Sequence, residues 1–208
     1  MHTPASPTPV AAAAVGLRID SGSGILRDVP QVLSPHCDAR PASALPELIV
    51  IHGISVPAGR FGGPWIDRLF AGDLPADAHE DFAQIASLRV SAHVLIRRDG
   101  GITQYVPFSA RAWHAGASSY EGRGACNDFS VGIELEGSDE RPYEDAQYRA
   151  LGELIVALCR AYPTLSRERI VGHSDIAPGR KTDPGPCFDW PRLRAQLQSA
   201  GAAAASAP

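Results

Sequence analysis

ELIVIHGIS, residues 47–55, is an apolar run that closes on a histidine. A strand with one wet face alternates apolar and polar residues. An unbroken run of this kind suits a strand covered on both faces, as at the centre of a parallel or mixed sheet. The end of such a run is a common position for functional side chains, which singles out His52.

The neighbouring stretches extend that sheet. FSVGIELEG (129–137) alternates, with Val131, Ile133 and Leu135 on one face and Gly132, Glu134 and Glu136 on the other. SAHVLIRRDGGITQYVPF (91–108) predicts a hairpin turning at Asp99-Gly100-Gly101, whose glycines tolerate the positive φ of a tight turn. GGPWIDRLFAG (62–72) and residues 77–86 predict short helices. In DAQYRALGELIVALCRAYP (145–163), apolar residues at 148, 151, 154, 155 and 158 have helical spacing, and Pro163 ends the helix. An amphipathic helix begins at Pro191, and His36-Cys37-Asp38 reads as loop. The expected fold class is α/β: a single domain with a central mixed β-sheet flanked by α-helices.

The 208 residues suit one domain with a sizeable core; 44% are hydrophobic and 20% charged, ordinary values for a globular protein. The net charge is −4 and no Lys/Arg-rich run occurs, so nucleic acid is not an expected partner. No apolar run approaches the roughly 20 residues that span a bilayer, so neither is a membrane. MHTPASPTPVAAAAVGLR is only faintly like a signal peptide, since its first nine residues carry no Lys or Arg. Residues 1–24 are expected to be a disordered extension, 25–198 the folded domain and 199–208 a disordered tail. Cys37, Cys126, Cys159 and Cys187 are scattered without a C-x-x-C pair, which argues against a zinc ribbon or redox motif and fits a reducing compartment.

Ionisable chemistry concentrates in HSDIAPGRKTDPG (173–185), a stretch with little to bury and stiffened by Pro178 and Pro184. A hydrolytic zinc site needs two or three neutral imidazoles, often a carboxylate, and one position left for water. The one-helix form, H-E-x-x-H, is absent, so ligands would have to come from separate elements. His52, His173 and Asp183 could do so; on spacing alone each is as well read as a packed or exposed residue. Glu134 sits mid-strand on the polar face, either a catalytic carboxylate or a solvated charge beside Glu136. Lys181, two residues from Asp183, is either aimed at the same site or simply exposed. His2 and His79 have no supporting context.

VIHGIS, FGGPWIDRLF, LRVSAHVLIRRDG, ITQYVPF, AWHAG, CNDFSVGIELEG and GHSDIAPGRKTDPGP together resemble the AmpD-type N-acetylmuramoyl-L-alanine amidases. These are cytoplasmic enzymes of peptidoglycan recycling, related to the phage T7 lysozyme amidase and to peptidoglycan recognition proteins. The likeness covers about residues 25–197, with the motifs in the family's order. It implies one zinc ion per chain held by His52, His173 and Asp183, with Glu134 and Lys181 catalytic. Zinc lowers the pKa of bound water toward about 7. Glu134 would then take the water proton and pass it to the departing L-alanine amine, and Lys181 would help to stabilise the oxyanion.

The substrate implied is a small anhydro-muropeptide, cut between 1,6-anhydro-N-acetylmuramic acid and L-alanine; a monomer is expected. Arg89 matches a substrate-region arginine, its alternative being an exposed hairpin charge. Trp113 and His114 could line the groove, although Trp113 could equally be core. Gly53 and Ala125 stand where members of the family often have Asn and Arg, so the stem-peptide preference stays open. Two other readings exist. A non-catalytic recognition module would be marked by a lost ligand, and all five positions are intact. An exported amidase acting on intact wall is opposed by the free cysteines and the missing signal peptide.

Overall fold

The computed structural model describes residues 16–205, with side chains as far as Ala200. It opens with a hairpin of β1 (Ile19–Asp20) and β2 (Ile25–Leu26). β3 (Cys37–Ala39) precedes the long strand β4 (Leu48–Ile54). Helices α1 (Trp65–Ala71) and α2 (Phe82–Ile85) lead to a second hairpin, β5 (Val94–Ile96) and β6 (Ile102–Gln104). β7 (Ala110–Ala112) pairs back with β3, and β8 (Ser119–Tyr120) pairs with β9 (Arg123–Gly124). A 3-10 turn at Cys126–Asp128 enters β10 (Ser130–Glu136). Then follow α3 (Asp145–Ala161), β11 (Ile170–Gly172), α4 (His173–Ile176) and α5 (Trp190–Ala205).

Five strands form the central sheet in the order β11-β4-β10-β5-β6, all parallel except β6. Both faces are covered, as the apolar run of β4 requires. Ile49, Ile51, Val131, Ile133 and Leu135 pack under α3 and α5, against Leu151, Leu154, Ile155, Leu158, Leu193 and Leu197. On the other face, Leu48 and Val50 meet Ala115, Cys126, Phe129 and Ile176, and Leu95 joins the residues of α1. Among the described residues, no helix is long and apolar enough to cross a membrane.

Three expectations differ from the structure. All seven residues of β10 are buried, Glu134 and Glu136 included, although the alternation suggested a wet face. That face is covered by polar partners: the Glu136 carboxylate accepts from the backbone N–H groups of Gly62 (2.6 Å) and Arg98 (3.3 Å). His36-Cys37-Asp38 is not all loop, because Cys37–Ala39 forms an edge strand on β7; three residues give no periodicity to detect. The fold also starts before residue 25 and ends after 198. Ile19 and Asp20 pair with Leu26 and Ile25, Ile19 packs against the core, and α5 runs to Ala205. The rest of the expectation for the two ends, on residues 1–15 and 206–208, lies outside the described residues.

The loop that follows α4 is tied to the sheet by Tyr143, which is 5% exposed and whose hydroxyl donates to Pro184 O at 2.9 Å. Gly53 and Gly137 leave room for this ring: a Cβ at either would lie 2.3 Å from Tyr143 atoms. The space that a side chain at position 53 would take is therefore held by the tyrosine hydroxyl. Tyr143→Phe should strand the Pro184 carbonyl and lower stability by about 1–3 kcal/mol. A urea unfolding midpoint that falls with unchanged slope is the expected result.

Candidate metal centre

Strand register decides which side chains meet. In the parallel pairing, Glu134 lies opposite His52, and Gly172 lies opposite Ile51, so His173 follows level with His52. In-line residues on neighbouring strands point to the same face. Three adjacent strands thus deliver His173, His52 and Glu134 in a row at their carboxyl ends. The loop beyond α4 then brings Asp183 back to them.

His52 Nδ1 lies 3.0 Å from His173 Nδ1, and each lies 3.1 Å from Asp183 Oδ2. Among the described residues these three form a group able to hold a metal ion. The donor set fits zinc. Ligands bound tetrahedrally at about 2.0–2.1 Å are about 3.3–3.4 Å apart, close to what is seen. The far nitrogen of His173 confirms the orientation: Nε2 donates to Ala115 O at 3.2 Å, which leaves Nδ1 with its lone pair toward the centre. Arg180 braces the same carbonyl, donating to Ala115 O at 2.7 Å and to Ala117 O at 2.8 Å. His52 is 1% exposed, and burial pushes its pKa below the usual histidine range, which keeps the ring neutral as a ligand must be.

Glu134 is 8% exposed, and its buried Oε2 has no hydrogen-bond partner. Burial raises its pKa well above the ordinary carboxyl value and the Asp183 charge adds to this, while the Lys181 ammonium opposes it. Such an unpartnered oxygen beside a metal-ligand cluster suits a group that exchanges a proton with water or substrate. Lys181 is exposed and lines, with Gly53, Ser55, Gly137, Asp139 and Asp183, a cleft of about 620 Å³ that opens onto the cluster.

The three residues expected to meet substrate are not among those lining this cleft. Arg89 is exposed, with its guanidinium 5.0 Å from the centroid of the Trp113 ring, and Trp113 Nε1 donates to Asp38 at 3.1 Å. Neither lines the cleft beside Asp183. His114 is buried behind His52: its Nδ1 lies 2.9 Å from His52 Nε2, and its Nε2 lies 3.1 Å from Ser130 Oγ. No local pattern singles out Ser130, Tyr143 or Arg180, since each matters only through contacts that the folded chain creates. Gly132, on the polar face of β10, was a signal: a Cβ there would come within 2.4 Å of the His114 ring.

Comparison with known proteins places the chain in a family. The family model described as N-acetylmuramoyl-L-alanine amidase matches residues 42–186. A Salmonella typhimurium protein named 1,6-anhydro-N-acetylmuramyl-L-alanine amidase AmpD is 59% identical over 172 residues, covering 83% of this chain and 91% of the relative. An AmpD crystal structure superposes with a TM-score of 0.83 at 57% identity, covering 86% of this chain and 98% of that one. The Escherichia coli amidase AmiD, solved in complex with anhydro-N-acetylmuramic acid-L-Ala-D-γ-Glu-L-Lys, has a TM-score of 0.54 at 28% identity, covering 93% and 73%. With the sheet, the cluster and these likenesses together, the chain belongs to the N-acetylmuramoyl-L-alanine amidase family.

Proposed function

We propose that this chain is a zinc-dependent amidase of muropeptide recycling in the cytoplasm. Its reaction is hydrolysis of the amide between 1,6-anhydro-N-acetylmuramic acid and the L-alanine of a stem peptide. The observation that carries this reading is the convergence of His52 Nδ1, His173 Nδ1 and Asp183 Oδ2 beside the unpartnered Glu134 oxygen. The names of the relatives support the substrate, as does the anhydro-muropeptide seated on AmiD. Dispersed free cysteines support a reducing compartment.

His52, His173 and Asp183 would hold one zinc ion, which when bound supplies a Lewis acid and lowers the pKa of water to about 7. Glu134 accepts the proton of the attacking water and later donates it to the L-alanine nitrogen as the amide C–N bond breaks, so that it ends the cycle unchanged. Burial raises the proton affinity of that carboxylate, which suits a group that must take a proton from water. The Lys181 ammonium faces the same cleft and offsets the negative charge that develops on the carbonyl oxygen of the lactyl group. Loop residues 177–186 carry both this lysine and Asp183, so that one segment places the charge-stabilising group beside the carboxylate ligand.

Three outcomes test the reading. Glu134→Gln should keep zinc and fold but lose about 10²–10⁴ in turnover, read as free peptide by mass spectrometry; near-normal hydrolysis would remove Glu134 from the mechanism. Chelation should abolish activity, and zinc should restore it at one ion per chain by elemental analysis; activity in zinc-free protein would end the metal reading. Offered anhydro-muropeptide and intact sacculus side by side, the enzyme should release peptide from the first. Release from the sacculus instead would favour an exported wall amidase.

A further inference from the structure

His52 meets the cluster through Nδ1, so its proton must sit on Nε2, and the residues behind it decide whether that is so. Ser130 Oγ donates its only proton to Cys126 O at 2.6 Å, because a carbonyl oxygen can only accept. The contact of Ser130 Oγ with His114 Nε2 at 3.1 Å therefore runs the other way, with His114 donating. A neutral His114 that carries its proton on Nε2 has a lone pair on Nδ1. That atom, 2.9 Å from His52 Nε2, accepts from it and leaves His52 Nδ1 bare.

The backbone holds this chain of bonds in place. The His114 ring lies over Gly132, where a Cβ would come within 2.4 Å, and it crosses the His52 ring edge-on at 86°. The backbone N–H groups of His114 and Ala115 both donate to Asn127 Oδ1, at 3.1 and 2.8 Å, which fixes the segment that carries the ring. Ser130, Gly132 and Glu134 occupy successive positions on one face of β10, opposite Leu48, Val50 and His52.

We propose that His114 and Ser130 are positioning residues for the metal centre. By a one-directional relay from His52 Nε2 to the Cys126 carbonyl, they hold His52 in the tautomer whose Nδ1 can bind an ion. His114, expected from the family likeness to face substrate, acts through the ligand instead. The inference rests on the reading of His52 as a ligand, but its first test needs no metal.

In zinc-free wild-type protein near pH 8, long-range proton–nitrogen correlation spectra should show protons on His52 Nε2 and on His114 Nε2. A proton on His114 Nδ1 would overturn the relay whatever the protein binds. Zinc affinity, measured by competition with a chelator, supplies the second test. His114→Phe keeps a ring over Gly132 but removes the acceptor, and should weaken zinc about 10–100-fold. His114→Asn puts a carbonyl oxygen where Nδ1 stood and should recover most of that loss. Ser130→Ala, a small change in case His114→Phe does not fold, should weaken zinc about 10-fold. Equal losses for Phe and Asn, or wild-type affinity in Ser130→Ala, would reduce His114 to packing and overturn the inference. No zinc binding by the wild type would instead overturn the reading of the ligands.

Discussion

Everything at the centre depends on the parallel register between β4 and β10, which sets Glu134 opposite His52. Side chains alternate along a strand, so a slip of one residue would turn Glu134 into the apolar layer beneath α3 and leave Leu135 in its place. The slip is opposed by the layer itself: Val131, Ile133 and Leu135 interlock with Ile49, Ile51 and the helices, all of them at most 5% exposed. Chemistry on one face of the sheet is thus kept in line by hydrophobic packing on the other. Burying several large aliphatic side chains, each worth about 1.5–3 kcal/mol, gives that registration a strength that the polar groups could not supply.

A row of histidines and carboxylates inside a protein would ordinarily be a liability. Two bare imidazole nitrogens and a carboxylate oxygen within 3.1 Å repel one another unless a proton or a cation lies between them. The outward-facing nitrogens of the two imidazoles, by contrast, are both committed. His173 Nε2 goes to Ala115, whose carbonyl Arg180 also grips, and His52 Nε2 goes to His114. The imidazoles are satisfied on the outside of the cluster and left wanting on the inside, an arrangement able to hold a cation.

Much of this could be read from the chain, and the reasons differ by residue. The buried strand around ELIVIHGIS, the hairpin at Asp99-Gly100-Gly101 and helix α3 have periods or turn residues that report local geometry, and the structure has each of them. His52, His173 and Asp183 became a set only through the family likeness, because no spacing rule connects ligands on β4, α4 and a loop. Burial of Glu134 was illegible for another reason: alternation records that one face of β10 is polar, but not whether water or protein covers it. Short edge pairings such as Cys37–Ala39 with Ala110–Ala112 escape detection because three residues cannot display a period.

The distinction between facing away from the cluster and facing into it is also topological. Trp113 and His114 are adjacent, yet their side chains part: Trp113 turns to Arg89 and Asp38, while His114 turns inward to His52. A motif such as AWHAG reports that both are wanted, without saying on which side. What separates them is Gly132, since only a residue without a side chain leaves room for an imidazole on the polar face of β10. The glycine that looks like a weak point in a strand is what allows the second histidine to reach the first. The orientation of the His52 ring toward His173 and Asp183 is therefore encoded as much at positions 114, 130 and 132 as at position 52 itself.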